Sequence, residues 1–169
     1  SSYSLGELEG DNTDGVGLLR DLIDNHSVML QGATVVLIGA GGAARGVLGP
    51  LLEAKPMRLV VANRHAARAL ELEKAFSDLG PISSCRLEAI PDSVDVMINA
   101  TSTSLTGESL ALPTRSVGTH TVCYDMMYAS EPTLFMRWAQ QQGSHRQIDG
   151  LGMLVEQAAE SFRIWRGVS

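Results

Sequence analysis

The stretch with the most chemistry in its spacing is a run of small residues. Val35-Val36-Leu37-Ile38 leads into Gly39-Ala40-Gly41-Gly42-Ala43-Ala44-Arg45-Gly46, which fits G-x-G-x-x-A with Gly39, Gly41 and Ala44. Between a strand and a helix, that spacing makes a cradle for a pyrophosphate. The first glycine permits a tight turn, the second lets the backbone approach the ligand, and the small third residue lets helix and strand pack closely. The helix N-terminus then offers unpaired N–H groups to the phosphates. A tight turn with no ligand is the alternative. A second stretch, Asn63-Arg64-His65-Ala66-Ala67-Arg68, ends the next strand. An NAD-binding chain usually places an acid there, to accept from the ribose 2′-hydroxyl. Here there is none, and two guanidinium groups lie one helical turn apart, which suits a 2′-phosphate. NADP is therefore favoured over NAD; solvated surface arginines are the alternative.

Further polar clusters fall where loops leave the strands. Gly10-Asp11-Asn12-Thr13-Asp14-Gly15 carries two carboxylates before a helix, and reads equally as an N-cap. Asn99-Ala100-Thr101-Ser102 follows the fourth strand, and Asp125-Met126-Met127-Tyr128 the fifth. Asp149-Gly150-Leu151-Gly152-Met153 opens the last helix. Met126, Tyr128 and Met153 could flank a nicotinamide ring or belong to the core, and spacing favours the core for Met153. Gln157 falls between apolar neighbours, so it should be half-buried and in need of a partner.

The elements that must position these groups alternate along the chain. Strands are expected at Thr34–Ile38, Arg58–Ala62, Ser84–Leu87, Val94–Asn99 and Thr121–Asp125, with a weaker one at His145–Ile148. Several are β-branched and nearly continuous, as in strands buried on both faces of a parallel sheet. Helices are expected at about Asp14–Asn25, capped by Asn12 or Thr13, then Gly42–Leu52 and His65–Leu79. Pro132–Gln142 should open on its proline and stop at Gly143. Gly150–Trp165 sets Leu151, Leu154, Val155, Ala158, Phe162 and Trp165 on one stripe. Strands alternating with helices imply an α/β, doubly wound, mostly parallel sheet of the Rossmann type with right-handed crossovers. Residues 101–116 are polar and turn-rich, and read as a loop on the active face.

Composition bounds the rest. The chain has 169 residues, 44% hydrophobic and 19% charged, enough apolar material for one domain with a proper core. The net charge of −6 and the pI near 5.1 argue against nucleic acid or an anionic membrane as main partner. Two cysteines, Cys85 and Cys123, fit a reducing compartment, and no Cys/His spacing suggests a metal site. No apolar run approaches a membrane span, so the expected location is the cytoplasm.

Together these clusters resemble the shikimate dehydrogenase family. The matching pieces are Gly10–Gly15, Val36–Gly46, Asn63–Ala69, Asn99–Ser102, Cys123–Tyr128 and Asp149–Ala159, in the family's order across nearly the whole chain. The resemblance implies an NADP-dependent oxidoreductase that interconverts 3-dehydroshikimate and shikimate in aromatic amino-acid biosynthesis. It implies that Asp14 is the catalytic aspartate, which works with a lysine and contacts the substrate hydroxyls, with Tyr128 and Gln157 as further substrate contacts. It places Gly39, Ala40, Gly41, Gly42 and Ala43 on the diphosphate, and Asn63, Arg64 and Arg68 at the adenosine 2′-phosphate. It sets Thr101, Met126, Gly150 and Met153 around the ribose and nicotinamide.

The family also carries an N-terminal substrate domain that supplies a catalytic lysine. Here only Lys55 and Lys74 are present, neither where that lysine would be needed. Residues 1–169 are therefore expected to be one NADP-binding domain, whose first 30 or so residues come from the interdomain region. The chain should bind NADP with little turnover alone, and could self-associate through the face it leaves bare. Ser104 stands where relatives often have glycine. Other readings are a shikimate/quinate dehydrogenase using NAD, a non-catalytic NADP-binding module, or the nucleotide domain of another oxidoreductase such as a tetrahydrofolate dehydrogenase. The first should carry an acid near Asn63, and the Gly10–Gly15 and Asp149–Ala159 segments speak against the last.

Overall fold

A computed structural model describes residues 13–107 and 110–167. Six parallel strands form one sheet: β1 Thr34–Ile38, β2 Arg58–Asn63, β3 Ile82–Arg86, β4 Val96–Asn99, β5 Val122–Asp125 and β6 Arg146–Ile148, in the order β3-β2-β1-β4-β5-β6. The chain winds outward from β1 in one direction, then returns to β4 and winds in the other. The switch point lies between β1 and β4, where ligands bind in such sheets, beyond the carboxyl ends of the strands. Register sets Ile38 level with Ala62 and with Asn99, and Asn99 level with Asp125. Four strands thus deliver their following loops to one edge.

The strands are apolar on both faces because both are covered. Val35, Leu37, Leu59, Val61, Val96, Ile98 and Tyr124 pack with Leu18, Leu48, Leu51, Leu72 and Met153. Those come from α1 (residues 13–19, continued by π-helical turns at Arg20–Asn25), α2 Gly42–Glu53, α3 Ala66–Phe76 and the last helix. Val36, Ile38, Val60, Ala62, Met97 and Cys123 face the other way, against Leu87, Ile90, Phe135 and Ala139. In chain order the remaining helices are the single turn α4 Thr103–Thr106, α5 Leu134–Gln141 and α6 Leu151–Gly167.

Several expectations shift. β3 starts two residues earlier, at Ile82, and ends one residue earlier, because Leu87 turns inward as part of a 3-10 turn over Leu87–Ala89. Pro132 does not open α5: Thr133 caps it, accepting from the Met136 N–H at 3.2 Å, so the proline sits one residue outside. Gly143 does end the helix, at φ +101°. Thr13 is already helical and so is no cap; Asn12, the other candidate, lies outside the described residues. The stripe on α6 is the largest difference. Leu151, Leu154, Val155, Phe162 and Trp165 are exposed, Trp165 to 70%, and the buried side of the helix is formed by Gly152 and Met153. Periodicity finds the apolar stripe of a helix but not which side the sheet takes. Here the sheet takes the side that lets two glycines make close approaches.

Those approaches fix the helices. A Cβ on Gly152 would lie 2.2 Å from Asp21 Oδ1, and one on Gly17 would lie 2.8 Å from the Met153 carbonyl oxygen. A Cβ on Gly15 would sit 2.2 Å from the ring of Pro50 in α2. α1 is thus wedged between α2 and α6 with no room for side chains at the crossings.

Both cysteines are free. Burial pushes the Cys123 thiol up to about 12, and burial with nearby Glu88 also raises Cys85. The folded chain therefore holds thiol protons that the unfolded chain releases above about pH 9, so this contribution to stability is lost as pH rises from there toward 12. At pH 8, iodoacetamide should leave Cys123 unmodified in the native protein and alkylate it in urea. Mass spectrometry showing native labelling at Cys123 would contradict its burial.

Candidate cofactor and substrate site

The glycine run makes the turn that its spacing requires. Gly39 takes φ +116°, and its N–H donates to the Ala62 carbonyl at 2.8 Å, tying the loop to β2. A Cβ there would meet the Thr101 methyl at 3.1 Å, so the loops after β1 and β4 touch at Gly39. Gly41 is the N-cap of α2, and around Gly41 and Gly42 a Cβ would meet nothing within 4 Å. Ala44 is fully buried against the sheet. The helix N-terminus therefore opens onto space beside bare backbone, with Ala40 and Ala43 flanking it, a shape that fits a diphosphate.

Next to it lies an open cleft of about 290 Å³, lined by Ile38, Asn63, Arg64, His65, Arg68, Leu87, Thr101, Thr103 and Leu110. Asn63 ends β2 and donates to the His65 carbonyl at 3.1 Å, shaping the turn into α3. Arg64 and Arg68 reach the cleft from the turn and from the first turn of α3, both on the solvent side. Among the described residues, no carboxylate lines this cleft. The two arginines at its wall suit an anionic group at the ribose end of a dinucleotide.

The loops after β4 and β5 are held by a buried polar knot. Thr101 donates its backbone N–H (3.1 Å) and its hydroxyl (2.7 Å) to Asn99 Oδ1, and its hydroxyl pairs with that of Thr103 at 2.9 Å. Asn99 donates to Asp125 Oδ1 at 3.4 Å, and Asp125 also accepts from the Met127 N–H (3.0 Å) and the Thr133 hydroxyl (2.7 Å). Asn99 and Asp125 are fully buried, so these bonds repay their loss of water. Gly150 closes the arrangement: its N–H donates to the Met127 carbonyl at 3.0 Å, and a Cβ on it would lie 2.1 Å from the Met126 carbonyl oxygen. Met126 is half-buried against the core and Tyr128 is 44% exposed. Met153 is buried in the core, as its spacing indicated.

Across the same edge, Gln157 Nε2 donates to Asp14 Oδ1. The two are 143 positions apart in sequence, and both are half-buried. Gln157 has the partner its position demanded. Lys55 and Lys74 lie at the far edge of the sheet, one just past the end of α2 and the other in the last turn of α3. Gly10–Asn12 lie outside the described residues, as does the Ser104 side chain.

Sequence reasoning passed over Asp21. It is 1% exposed, beneath Asp14 on α1, and accepts from the fully buried Tyr124 hydroxyl at 2.6 Å. Burial, and then the Asp21 carboxylate, push the Tyr124 phenol well above its ordinary range, so it stays protonated and donating. An acid in a helix of mixed polarity reads as solvated. The only hint was its spacing of seven from Asp14, which puts both on one face. Among the described residues, no group of three or more His, Cys, Asp or Glu side chains is placed to hold a metal ion, and no helix is long and apolar enough to cross a membrane.

Comparisons with known proteins identify the family and the fold. A family model described as shikimate/quinate 5-dehydrogenase matches residues 21–107, and one for the shikimate 5′-dehydrogenase C-terminal domain matches residues 150–169. The chain is 53% identical over 163 residues to a shikimate dehydrogenase (NADP(+)) of Alkalilimnicola ehrlichii, covering 96% of this chain and 60% of that one. Another, from Methylococcus capsulatus, is 51% identical over 164 residues, covering 96% and 59%. The chain thus spans about 60% of the length of the curated relatives it matches. Among solved structures, an Ael1 enzyme from Pseudomonas putida superposes with a TM-score of 0.86 at 46% identity, covering 92% of this chain and 58% of that one. A shikimate dehydrogenase in complex with NADP+ gives 0.79 at 29%, covering 92% and 56%.

Proposed function

The chain belongs to the shikimate/quinate 5-dehydrogenase family, and from that premise we propose that it is the NADP-binding half of a shikimate dehydrogenase. The observation that carries the reading is the cleft at the carboxyl edge of β1 and β2: an open cradle beside two arginines. Gly39–Ala43 hold the diphosphate, and Asn63, Arg64 and Arg68 hold the adenosine end with its 2′-phosphate. Thr101, Met126, Gly150 and Met153 shape the pocket for the nicotinamide ribose and ring.

The nicotinamide supplies the hydride exchange with the carbonyl carbon of 3-dehydroshikimate. This chain's own residues handle the rest. The knot at Asn99 and Asp125 would hold the β4 and β5 loops that line the nicotinamide pocket. Asp14 and Gln157 face the substrate together, and Tyr128 adds a contact from the β5 loop. When the carbonyl is reduced, its oxygen takes up a proton, and we assign Asp14 the part of the acid that delivers it. A cation beside that oxygen would stabilise its charge. Neither lysine of this chain reaches that edge, and we assign the cation to the substrate half that the resemblance to the family implies.

Calorimetric titration with NADP+ and, separately, NAD+ tests this. Binding of NADP+ at least tenfold tighter than NAD+ is expected, with no oxidation of shikimate by the chain alone. Equal affinity for the two would overturn the arginine clamp, and turnover by the chain alone would overturn the division of labour. The outcome also separates this reading from a shikimate/quinate dehydrogenase using NAD. The cytoplasm is the proposed location, and a small molecule the proposed partner. The bare apolar stripe of α6 is a further proposed route to self-association, read out by light scattering across concentration.

A further inference from the structure

We infer that Asp21 is a positioning residue: bonded to Tyr124, it sets the crossing of α1 on α6 and thereby holds Asp14 against Gln157. The inference rests on the proposed roles of Asp14 and Gln157. Tyr124 is fully buried on β5, the strand between β4 and the edge strand β6, one residue before the Asp125 knot. Its hydroxyl donates to Asp21 Oδ2 at 2.6 Å. The other carboxylate oxygen accepts from Asn25 Nδ2 at 2.8 Å, and His26 Nε2 lies 3.5 Å from it. Asn25 also donates to Glu156 Oε2 on α6 at 3.1 Å. One buried acid therefore ties the sheet, the end of α1 and, through Asn25, α6.

The packing shows what this tie controls. Gly152 brings the α6 backbone so close that a Cβ would collide with the Asp21 carboxylate. Seven residues before Asp21 on the same face stands Asp14, and five residues after Gly152 stands Gln157. Between them the α6 backbone lies over Gly17, with Gln157 Cγ 2.5 Å from where its Cβ would be. The two helices have no side-chain cushion here, so a shift of the carboxylate passes directly into the Asp14–Gln157 contact. A leucine and a phenylalanine would fill the same space without burying a charge, and such replacements are often neutral or stabilising. What the hydrogen bond adds is a fixed distance and direction between β5 and α1.

The test is made in the complete polypeptide of which this chain is the proposed cofactor half, by initial rates with shikimate and NADP+. Tyr124→Phe keeps volume and removes only the donor. It should lower kcat/KM for shikimate about tenfold, and leave KM for NADP+ within about twofold, because the cradle hangs on β1 and α2. Gln157→Ala should lower kcat/KM for shikimate by itself. The double variant Tyr124→Phe/Gln157→Ala should be no worse than Gln157→Ala alone, since the tyrosine acts through that contact. Asp21→Asn is a second probe, and Tyr124→Phe stands if it does not fold. A folded Tyr124→Phe with unchanged shikimate parameters overturns the inference, as does simple additivity with Gln157→Ala. A silent Gln157→Ala overturns the site reading beneath it. An impaired Gln157→Ala beside a silent Tyr124→Phe overturns the inference alone.

Discussion

Replacing Arg64 and Arg68 together with alanine is expected to weaken NADP+ binding by roughly 100-fold or more and to leave NAD+ binding within about twofold. Hydrogen bonds from a guanidinium to a phosphate contribute about 1.5–3 kcal/mol each, and every 1.4 kcal/mol or so is tenfold in affinity. Both side chains are solvent-facing before the ligand arrives, so the lower part of that range applies. Only the 2′-phosphate distinguishes the two dinucleotides, so the loss must fall on NADP+ alone. Calorimetry at fixed ionic strength measures both, and 2′-AMP reports the subsite separately. Raising the salt should shrink the difference. A parallel loss for NAD+ would mean that the arginines hold the adenosine by stacking, or hold the cleft in shape. The wall of that cleft would then need another source of selectivity, and the proposed preference for NADP+ would lose its physical cause.

The second large effect separates folding from binding with the same substitution at two glycines. In Gly150→Ala the new methyl would sit 2.1 Å from a main-chain oxygen, that of Met126, which no rotamer change relieves. The β5 loop or the start of α6 must move, and a loss of about 4 kcal/mol or more is expected, a large part of the roughly 5–15 kcal/mol that holds a typical domain folded. In Gly41→Ala the methyl meets nothing within 4 Å, and the residue's φ of −91° suits alanine. Stability should change by less than about 1 kcal/mol. Dinucleotide affinity should still fall sharply, because the methyl occupies the approach of the diphosphate. Urea unfolding and calorimetric titration on the two variants give opposite patterns if this is right. A Gly41→Ala variant that binds NADP+ normally would mean that the open space at the head of α2 is not the diphosphate site.

Much of the architecture could be read before any coordinates. Thr34–Ile38 appeared with its observed limits because an apolar run between Gly32 and Gly39 has little else it can be. The cradle was legible for the same reason: its residues are consecutive, and short-range spacing encodes a turn. What failed was information that depends on partners far along the chain. Leu151, Leu154 and Phe162 make an apolar stripe, yet α6 turns Gly152 and Met153 to the core, since only a glycine admits the Asp21 carboxylate. Asp21 itself was passed over because its bond to Tyr124 spans 103 residues and leaves no local trace. Pro132 misled by one position, since the chain uses Thr133 both to cap α5 and to satisfy Asp125. The Asp14–Gln157 contact lay between these cases: spacing announced that Gln157 needed a partner, and only the fold supplied it.

The exposed end of α6 has a consequence for how the molecule opens and closes. Residues 161–166 are all exposed, and among the described residues none buries this end of the helix. Amide hydrogens there should exchange with solvent at a local opening cost near zero. Those of β1 and β4, paired on both sides at the centre of the sheet, should exchange only when the whole domain unfolds. Protection along α6 should therefore fall from Met153 toward Trp165, and the position of the step marks where the helix stops belonging to this domain. Deuterium uptake followed peptide by peptide gives that position directly. Protection extending to Trp165 in the isolated chain would mean that another copy covers the stripe.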